Sequence, residues 1–430
     1  MKSFELHPID TLYLRDARPM ESGAGSGGHG ASWPLPMVLH DALRSALLRQ
    51  VAEIHPRRQV VGHRRFRNGQ LLNDPMIFTT AFRSLRTLGP LPARNKKLFL
   101  PRPLDVVPDG GEGRKTTLLR LLEGPREGSS NWPVRWLHPL ISPGRPGKQK
   151  LPLWIPVDAF CETLQGKAPV LDGKEELYEP EPRLGIELDP ATGATVEGKL
   201  YTAEHLRLPP DVSLWFQAAL SERRSEEENR APLESVEGSV FPLGGESRMT
   251  HCSASDIPAP NIPPPAGRRI KWVLAIHAVF NGGWRPNWVD EETGAVLLKR
   301  GDAERRAEED RETWRLRVRA LPAIRAKLLA ACVGKPIHFS GWDLGWTPPD
   351  KPGAPPGGPK PTLLAAPAGS VYYFEAESDD DARALVRALH GRVRSDFLGE
   401  KGLGWGFCGT WDGMDVGGRL AGGNEANDQR

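Results

Sequence analysis

The chain has 430 residues and a mass of 47.3 kDa, more than the roughly 100 to 200 residues of one ordinary domain, so we expect two domains with insertions. Its 46 glycines and 42 prolines fall short of the share that indicates disorder throughout, which predicts a globular body with long loops. The chain has 57 Lys and Arg residues and 54 Asp and Glu residues, which gives a net charge of +3. This charge is too small to indicate a nucleic-acid partner by itself.

The cysteines and the apolar stretches exclude two further classes of protein. Cys161, Cys252, Cys332 and Cys408 are widely separated and none belongs to a CxxC pair, so we expect no zinc site, no other metal and no cofactor. No apolar stretch approaches the roughly 20 residues that span a bilayer, and the N-terminus lacks the apolar region of a signal peptide. We therefore expect a cytoplasmic protein with reduced thiols and no membrane partner.

The chain begins with a predicted strand, a glycine loop and a helix. Phe4, Leu6 and Pro8 alternate with polar residues, and residues 12–14 lead into a polar turn at 15–19. A glycine-rich loop covers residues 22–30. Apolar residues then recur at helical spacing from Val38 to Val51.

A strongly basic segment follows from Pro56 to Leu104. It contains 11 Lys and Arg residues and one acid, Asp74, with four phenylalanines interleaved. Such a segment could follow a phosphate backbone and offer rings for stacking. The alternative is a solvated loop that happens to be rich in arginine, and the residues alone do not decide between the two.

The middle of the chain predicts hairpins and then a domain boundary. The segments 183–188 and 194–201 flank a turn at 189–193, and 213–216 is another predicted strand. Five prolines between Asp256 and Arg269 exclude a regular element there. We therefore predict an N-terminal half at 1–255 and a linker at 256–269.

The second half, residues 270–420, begins with a predicted strand at 272–276. A solvated helix is expected within 302–319, and another from Pro322 to Leu329. A strand at 370–377 and a helix with Asp379 as its N-cap precede a glycine-rich loop at 398–409 and a strand at 410–411. Residues 421–430 are expected to be a disordered tail.

Two glycine motifs do not predict nucleotide binding. Gly404 to Gly409 matches GxGxxG, but it follows a predicted helix instead of opening one, which leaves a flexible loop or a loop whose amides approach a phosphate backbone. Residues 110–116 resemble a P-loop, but Arg114 stands where a glycine should precede Lys115. We interpret them as a loop insertion.

Catalysis has few candidate residues. A metal-independent ribonuclease needs a base for the 2′-hydroxyl and an acid for the leaving oxygen, and His29 with Tyr13 or His40 could supply them. The favoured interpretation is that His29 is an exposed loop residue and that His40 packs or caps a helix. We therefore expect no enzymatic activity.

Taken in order, several segments resemble the third subunit of the type III-B CRISPR Cmr complex, a member of the RAMP superfamily. The matching segments span most of the chain and are 10–19, 181–186, 200–201, 243–248, 341–344 and 367–372. The sequence departs from the family pattern at Met20, where an aromatic residue is expected, and in the long loop 22–30.

The resemblance implies an α+β fold of two ferredoxin-like (RRM-like, βαββαβ) halves with hairpin and loop insertions. It implies a role in antiviral defence at the foot of a multisubunit complex, holding the repeat-derived 5′ tag of the crRNA. The implied protein partners are the large polymerase-like subunit and the backbone RAMP subunits. The alternatives are a crRNA-processing, metal-independent endoribonuclease of the same superfamily and a scaffold that contacts protein only.

The residues expected to contact RNA are of two kinds. Basic side chains would bind phosphates, and glycine segments would let the two backbones approach closely. They are Arg15, Arg18, His29, Arg64, Arg65, Arg67, Gly244, Gly245, Arg248, Gly404, Trp405 and Gly406. Arg248 could pair with Glu246 instead of RNA, and Trp33, Phe66 and Trp405 could stack on bases or lie in the core.

Overall fold

The computed structural model describes residues 1–15, 27–28, 31–54, 66–67, 70–71, 82–111, 115–123, 134, 136–171, 176–189, 191–220, 231–301, 306, 309–343, 358–359 and 361–415. The predicted tail at 421–430 lies outside these residues. The helices are α1 (Pro36–Ile54), α2 (Val157–Leu164), α3 (Arg311–Ala320) and α4 (Asp379–Leu389), with 3-10 turns at Leu233–Val236 and Gly399–Lys401.

Strands make up most of the regular structure in the described residues. They are β1 (Lys2–Pro8), β2 (Gly27–Gly28), β3 (Phe66–Arg67), β4 (Gln70–Leu71), β5 (Arg86–Arg94), β6 (Lys97–Pro101), β7 (Val106–Pro108), β8 (Thr116–Leu118), β9 (Arg120–Glu123), β10 (Leu140–Ile141), β11 (Trp154–Pro156), β12 (Glu179–Leu188), β13 (Thr195–Arg207), β14 (Val212–Ala219), β15 (Val240–Pro242), β16 (Met249–Ala254), β17 (Arg269–Leu274), β18 (Ala326–Cys332), β19 (Ile337–Phe339), β20 (Trp342–Asp343), β21 (Gly358–Pro359), β22 (Leu363–Ala365), β23 (Val371–Ala376), β24 (Arg392–Val393), β25 (Trp405–Thr410) and β26 (Gly413–Asp415).

The N-terminal sheet has the strand order β11-β6-β5-β14-β1-β16-β15, and its neighbours are antiparallel. The alternation of Phe4 and Leu6 buries both side chains on one face of β1, as the sequence predicts. Helix α1 covers this core with Leu39, Leu43 and Leu47, which recur every four residues and therefore lie on one face. Burial of each such leucine stabilises the fold by about 1.5 to 3 kcal/mol.

The C-terminal sheet has the order β18-β23-β17-β25-β24 and is also antiparallel. Helix α4 packs on it with Ala382, Leu385, Val386 and Leu389, the face that the sequence predicts. The N-cap is Ser378, whose hydroxyl accepts a hydrogen bond from the Asp381 amide at 3.1 Å, and not Asp379.

A core cluster joins the two sheets. It combines Leu91 and Leu100 of the N-terminal sheet with Val273, Tyr373 and Trp405 of the C-terminal sheet. Because side chains from both sheets fill one core, the two parts of the chain pack against each other directly.

A long hairpin, β12 with β13, confirms the hairpin predicted near residue 190. Most of its side chains are exposed, including Leu184 and Ile186. The predicted linker at 256–269 forms no helix or strand up to residue 268, and Arg269 begins β17; Ile257 and Ile262 within it are buried.

Two elements differ from the sequence prediction. The helix expected from Pro322 to Leu329 is wrong, because Ala326, Leu328 and Ala330 are buried with a period of two in strand β18, which pairs with β23. The glycine-rich loop expected at 398–409 is also wrong from Trp405 onward, since β25 pairs with β17 in the centre of the sheet.

The coarse prediction of a mixed fold of helices and antiparallel sheets is confirmed. Among the described residues, no helix combines the length and the apolar character that a membrane crossing needs.

Candidate nucleic-acid interface

The segment that leaves β1 is anchored on the hairpin. The amide of Leu12 donates to Leu206 O at 2.8 Å, and the amide of Leu206 donates to Leu12 O at 2.8 Å. Leu12, Tyr13 and Leu14 are buried, whereas Arg15 is exposed. Arg15 therefore marks the point at which this segment leaves the core.

The ends of the glycine-rich loop meet at the same place. The Ala31 amide donates to Leu14 O at 2.7 Å, which closes the chain between residues 14 and 31. Gly27 and Gly28 of β2 pair in parallel with Thr202 and Ala203 of the hairpin. The sequence positions of Arg18 and His29 lie within this closed segment, but both residues are outside the described part of the chain.

The turn from Leu243 to Arg248 packs against the anchored segment. Gly245 N donates to Tyr13 O at 2.8 Å, and Gly244 has a φ of +86°. A Cβ at Gly244 would lie 2.5 Å from Tyr13 O, and one at Gly245 would lie 2.9 Å from Tyr13 Cδ1. These glycines permit a close backbone approach, as the sequence predicts, but the backbone that they approach here is the chain's own.

Three arginines converge on Asp10, which precedes the anchored segment. Arg183 Nη2, Arg207 Nη2 and Arg248 Nη1 donate to its carboxylate at 3.1, 3.1 and 3.2 Å. Glu181 accepts from Arg183 at 2.8 Å and from Arg207, and Glu246 accepts from Arg248 at 3.1 Å. We call these six residues the arginine cluster.

The arginine cluster is electrically balanced. Hydrogen bonding, first from Arg207 and then from Arg183, lowers the pKa of Glu181 to about 2, and the Arg183 hydrogen bond is the largest cause that lowers the pKa of Asp10. Three guanidinium groups face three carboxylates, so the cluster adds no net charge. It fixes the anchored segment to the hairpin and the turn, and this pairing of Arg248 with Glu246 is the alternative that the sequence left open.

His205 lies beneath the cluster. Its ring stacks on Tyr13 at 5.0 Å between centroids, Nδ1 lies 3.0 Å from Thr11 Oγ1, and Nε2 lies 3.4 Å from Glu246 Oε2. Burial is the main cause that lowers the pKa of His205, which favours the neutral imidazole. Tyr13 and His205 therefore pack together as part of the support for the segment that ends at Arg15.

Some of the remaining residues predicted to contact RNA lie outside the described part of the chain, and others lie in the core. Arg64 and Arg65 lie outside the described residues, as do the side chains of Phe66 and Arg67, whose backbones form β3. Trp33 is buried, and its indole donates to Pro90 O at 2.9 Å.

The C-terminal glycine segment is part of the core. Trp405 is 3% exposed and packs in the cluster between the two sheets, which is the core position that the sequence left open as the alternative to stacking on bases. Gly404 has a φ of +80° and leaves no room for a Cβ beside the Ser395 backbone. A Cβ at Gly406 would lie 2.5 Å from Trp272 Nε1. The chain's own packing therefore requires glycine at both positions.

The hairpin residues of the cluster were missed by the sequence interpretation. Glu181 and Arg183 are two residues apart on β12, and His205 and Arg207 are two apart on β13, with Glu181 opposite His205. Residues at this spacing share a face of a strand. The available signal was charged residues at alternate positions at or just beyond the ends of the predicted hairpin strands, and using it required the strand register.

One comparison with known proteins identifies a family. The profile of the family described as CRISPR-associated protein (Cas_Cmr3) matches residues 4–411. No curated protein sequence matches the chain.

Several solved structures resemble the chain at low identity. A chain from the type III-B Cmr-beta complex bound to cognate target RNA and AMPPnP has a TM-score of 0.41 and 13% identity, covering 86% of each chain. A chain of the Csm3-Csm4 subcomplex of the type III-A CRISPR-Cas interference complex has a TM-score of 0.35 and 11% identity, covering 88% of this chain and 95% of the other. With TM-scores below 0.5, these likenesses add no argument to the family match.

Proposed function

Because the chain belongs to the Cas_Cmr3 family of CRISPR-associated proteins, we propose that it is a non-catalytic, guide-RNA-binding subunit of a type III-B CRISPR Cmr effector complex. In this role it holds the repeat-derived 5′ tag of the crRNA, next to the large polymerase-like subunit and the backbone RAMP subunits. The observation that carries the proposal is the family match over residues 4–411, nearly the whole chain.

The geometry at the exit of β1 supports a tag site there. Arg15 is the first exposed residue after a buried, doubly hydrogen-bonded segment, and the chain returns to the same point at Ala31. A loop with fixed ends loses less conformational entropy when it binds a ligand than a free segment does. Arg15, Arg18 and His29 belong to this loop by sequence, and two arginines in it match the chemistry of phosphate contacts.

The arrangement of strands supports two ferredoxin-like halves. The N-terminal sheet contains the order β5-β14-β1-β16, and the C-terminal sheet contains β18-β23-β17-β25, so each first strand lies between the third and the fourth. Helices α1 and α4 each pack against one of these sheets. We infer that each half is one such unit.

The surroundings of two candidate catalytic residues favour binding over cleavage. His40 is buried, and its Nδ1 lies 3.2 Å from Thr87 Oγ1. Burial is the largest cause that lowers the pKa of His40 to about 4, so the imidazole is neutral and is enclosed by the protein. Tyr13 is held in the stack with His205.

The experiment uses the full chain with labelled crRNA that carries either the natural or a scrambled 5′ tag, in EDTA. We expect retention of the tagged RNA without cleavage and a preference for the natural over the scrambled tag. Because Arg15 and Arg18 are assigned to phosphates, the affinity for the tagged RNA should fall by about tenfold or more in the double variant Arg15→Ala, Arg18→Ala. The matched control is Arg387→Ala on the exposed face of α4. Cleavage would support the endoribonuclease instead, and binding without tag preference would overturn the assignment of the tag.

A further inference from the structure

Two loops outside the arginine cluster interlock and display basic side chains. The first follows β7, and the second covers residues 144–150. The Gly110 amide donates to Arg145 O at 2.7 Å, and the Gly147 amide donates to Pro108 O at 2.8 Å. The side-chain amide of Gln149 donates to Asp109 O and Lys115 O, both at 3.2 Å. The loops therefore hold each other in one arrangement.

Glycine is required where these loops cross. A Cβ at Gly110 would lie 2.5 Å from Arg145 O, and a Cβ at Gly147 would collide with the Asp109 backbone. Both obstacles are backbone atoms, which cannot rotate away as a side chain can. The sequence interprets residues 110–116 as a loop insertion that does not bind nucleotide, and in the structure its first glycine, Gly110, is part of this crossing.

Four exposed cations surround this crossing: Lys115, Arg145, Lys148 and Lys150. We call them the basic platform. Within the described residues none of the four forms an ion pair, in contrast to the arginines of the arginine cluster. Asp109 is an acid at this crossing, and its carboxylate would lie 3.7 Å from a Cβ added at Gly144 and 3.8 Å from one added at Gly111. The basic platform therefore has a net charge of about +3 when Asp109 is included.

The composition of the basic platform favours phosphate over protein. Protein interfaces are depleted in lysine and enriched in aromatic residues, whereas three of these four residues are lysines. The loop from Gly144 to Lys150 contains no aromatic residue on which a base could stack. Cations without stacking partners contact the backbone of a nucleic acid and carry little sequence preference.

We propose that the basic platform binds the phosphate backbone of single-stranded RNA outside the 5′ tag. The proposal rests on the proposed function because it takes RNA as the ligand. It adds a second contact with the RNA, which does not depend on the RNA sequence. The rigid crossing holds the four cations in place before the RNA arrives, which reduces the entropy that is lost on binding.

The test compares two triple variants of the full chain. The platform variant is Lys115→Gln, Lys148→Gln, Lys150→Gln. The control variant is Lys2→Gln, Lys327→Gln, Lys335→Gln, which removes three exposed lysines outside the basic platform and outside the basic segment 56–104. Binding of (uridine)20 is measured from 50 to 200 mM NaCl, and melting curves check that both variants are folded.

Each phosphate contact contributes about 0.7 to the slope of log K against log salt for a single strand, so three lost contacts should flatten the slope by about 2. Over this fourfold range of salt, the loss of affinity should be about 20-fold smaller for the platform variant than for the wild type. The control variant should keep the wild-type slope.

Equal slopes in the two variants would overturn the proposal, as would a wild-type chain that does not bind (uridine)20 at 50 mM salt. The proposed function has a separate readout, the preference for natural over scrambled tag, which the platform variant should retain. If that preference is absent in the wild type while the slope still differs between the variants, the tag assignment fails and the basic platform stands. An unchanged slope with impaired assembly would assign the surface to an acidic protein.

Discussion

Replacement of the buried residue Lys271 by methionine should strongly destabilise the protein and should leave its exposed surface unchanged. Lys271 Nζ lies 2.8 Å from Asp105 Oδ2, and both side chains are 1% exposed. The Tyr373 hydroxyl donates to the same oxygen at 2.9 Å, and Asp105 Oδ1 has no partner within the described residues. Asp105 precedes β7 in the N-terminal part, whereas Lys271 and Tyr373 belong to the C-terminal sheet, so this ion pair crosses the junction.

The expected loss of stability arises because the substitution leaves the Asp105 carboxylate buried without its cation. Methionine replaces the length and the apolar stem of lysine, but it removes the ammonium group that lies 2.8 Å from the Asp105 carboxylate. Breaking a buried pair in this way costs about 3 to 5 kcal/mol, because the remaining charge is desolvated without compensation. The double variant Lys271→Met, Asp105→Asn removes both charges and keeps an acceptor for Tyr373, so we expect it to recover at least about 2 kcal/mol.

Urea denaturation of the wild type, Lys271→Met, Asp105→Asn and the double variant measures these differences in unfolding free energy as a double-mutant cycle. A loss of less than about 1 kcal/mol in the free energy of unfolding of Lys271→Met would contradict this expectation, since solvent would then reach the carboxylate. A failure of Asp105→Asn to restore stability in the Lys271→Met background would contradict it as well. A lower slope of free energy against urea would indicate that the two sheets no longer unfold together.

Two further predictions concern the core glycines and the arginine cluster. The double variant Gly404→Val, Gly406→Val should lose at least about 1 kcal/mol of folding stability per site, because Gly404 has a positive φ and neither site has room for a side chain. Melting curves measure this loss. Normal melting together with impaired RNA retention would instead favour a binding role for these glycines. The pKa of Glu181 is lowered from 4.5 to about 2, so its contribution to stability is present above pH 4.5 and is lost as the pH falls through 2. Glu181→Gln should therefore show a smaller loss of stability than the wild type between pH 4.5 and 2 in urea titrations, and an identical pH dependence would mean that the ion pairs with Arg183 and Arg207 do not persist in solution.

The sequence predicts those elements whose pattern is local. Helices α1 and α4 and strand β1 bury the faces that their periodicity indicates. Strand β25 was missed because its glycines resemble a loop, and the reason for them is non-local: Gly406 lies against Trp272, and Gly409 lies against the Leu164 backbone. Strand β18 was missed for a related reason, since pairing with β23 overrides the helical preference of its alanines and leucines.

The candidate site shows the same division. The exposure of Arg15 follows from the sequence, because the apolar residues 12–14 lead directly into the polar turn predicted at 15–19. Apart from the pair of Arg248 with Glu246, the arginine cluster could not be predicted, because Asp10, Arg183 and Arg248 are brought together by a hairpin and a turn that lie far apart in sequence. A single sequence without a strand register does not specify which carboxylate each guanidinium meets.

The net charge of the chain is only +3, but among the described residues some cations are paired with carboxylates and others are not, and this difference matters for the proposed binding of RNA. A phosphate that bound an arginine of the cluster would have to displace Asp10, Glu181 or Glu246, and the displaced carboxylate would remain close by and repel it. Cations without an acidic partner meet no such competition, and among the described residues these include the basic platform. It follows that substitutions in the arginine cluster should change the position of the loop that carries Arg15, and thereby tag preference, whereas substitutions in the basic platform should change the salt dependence of binding.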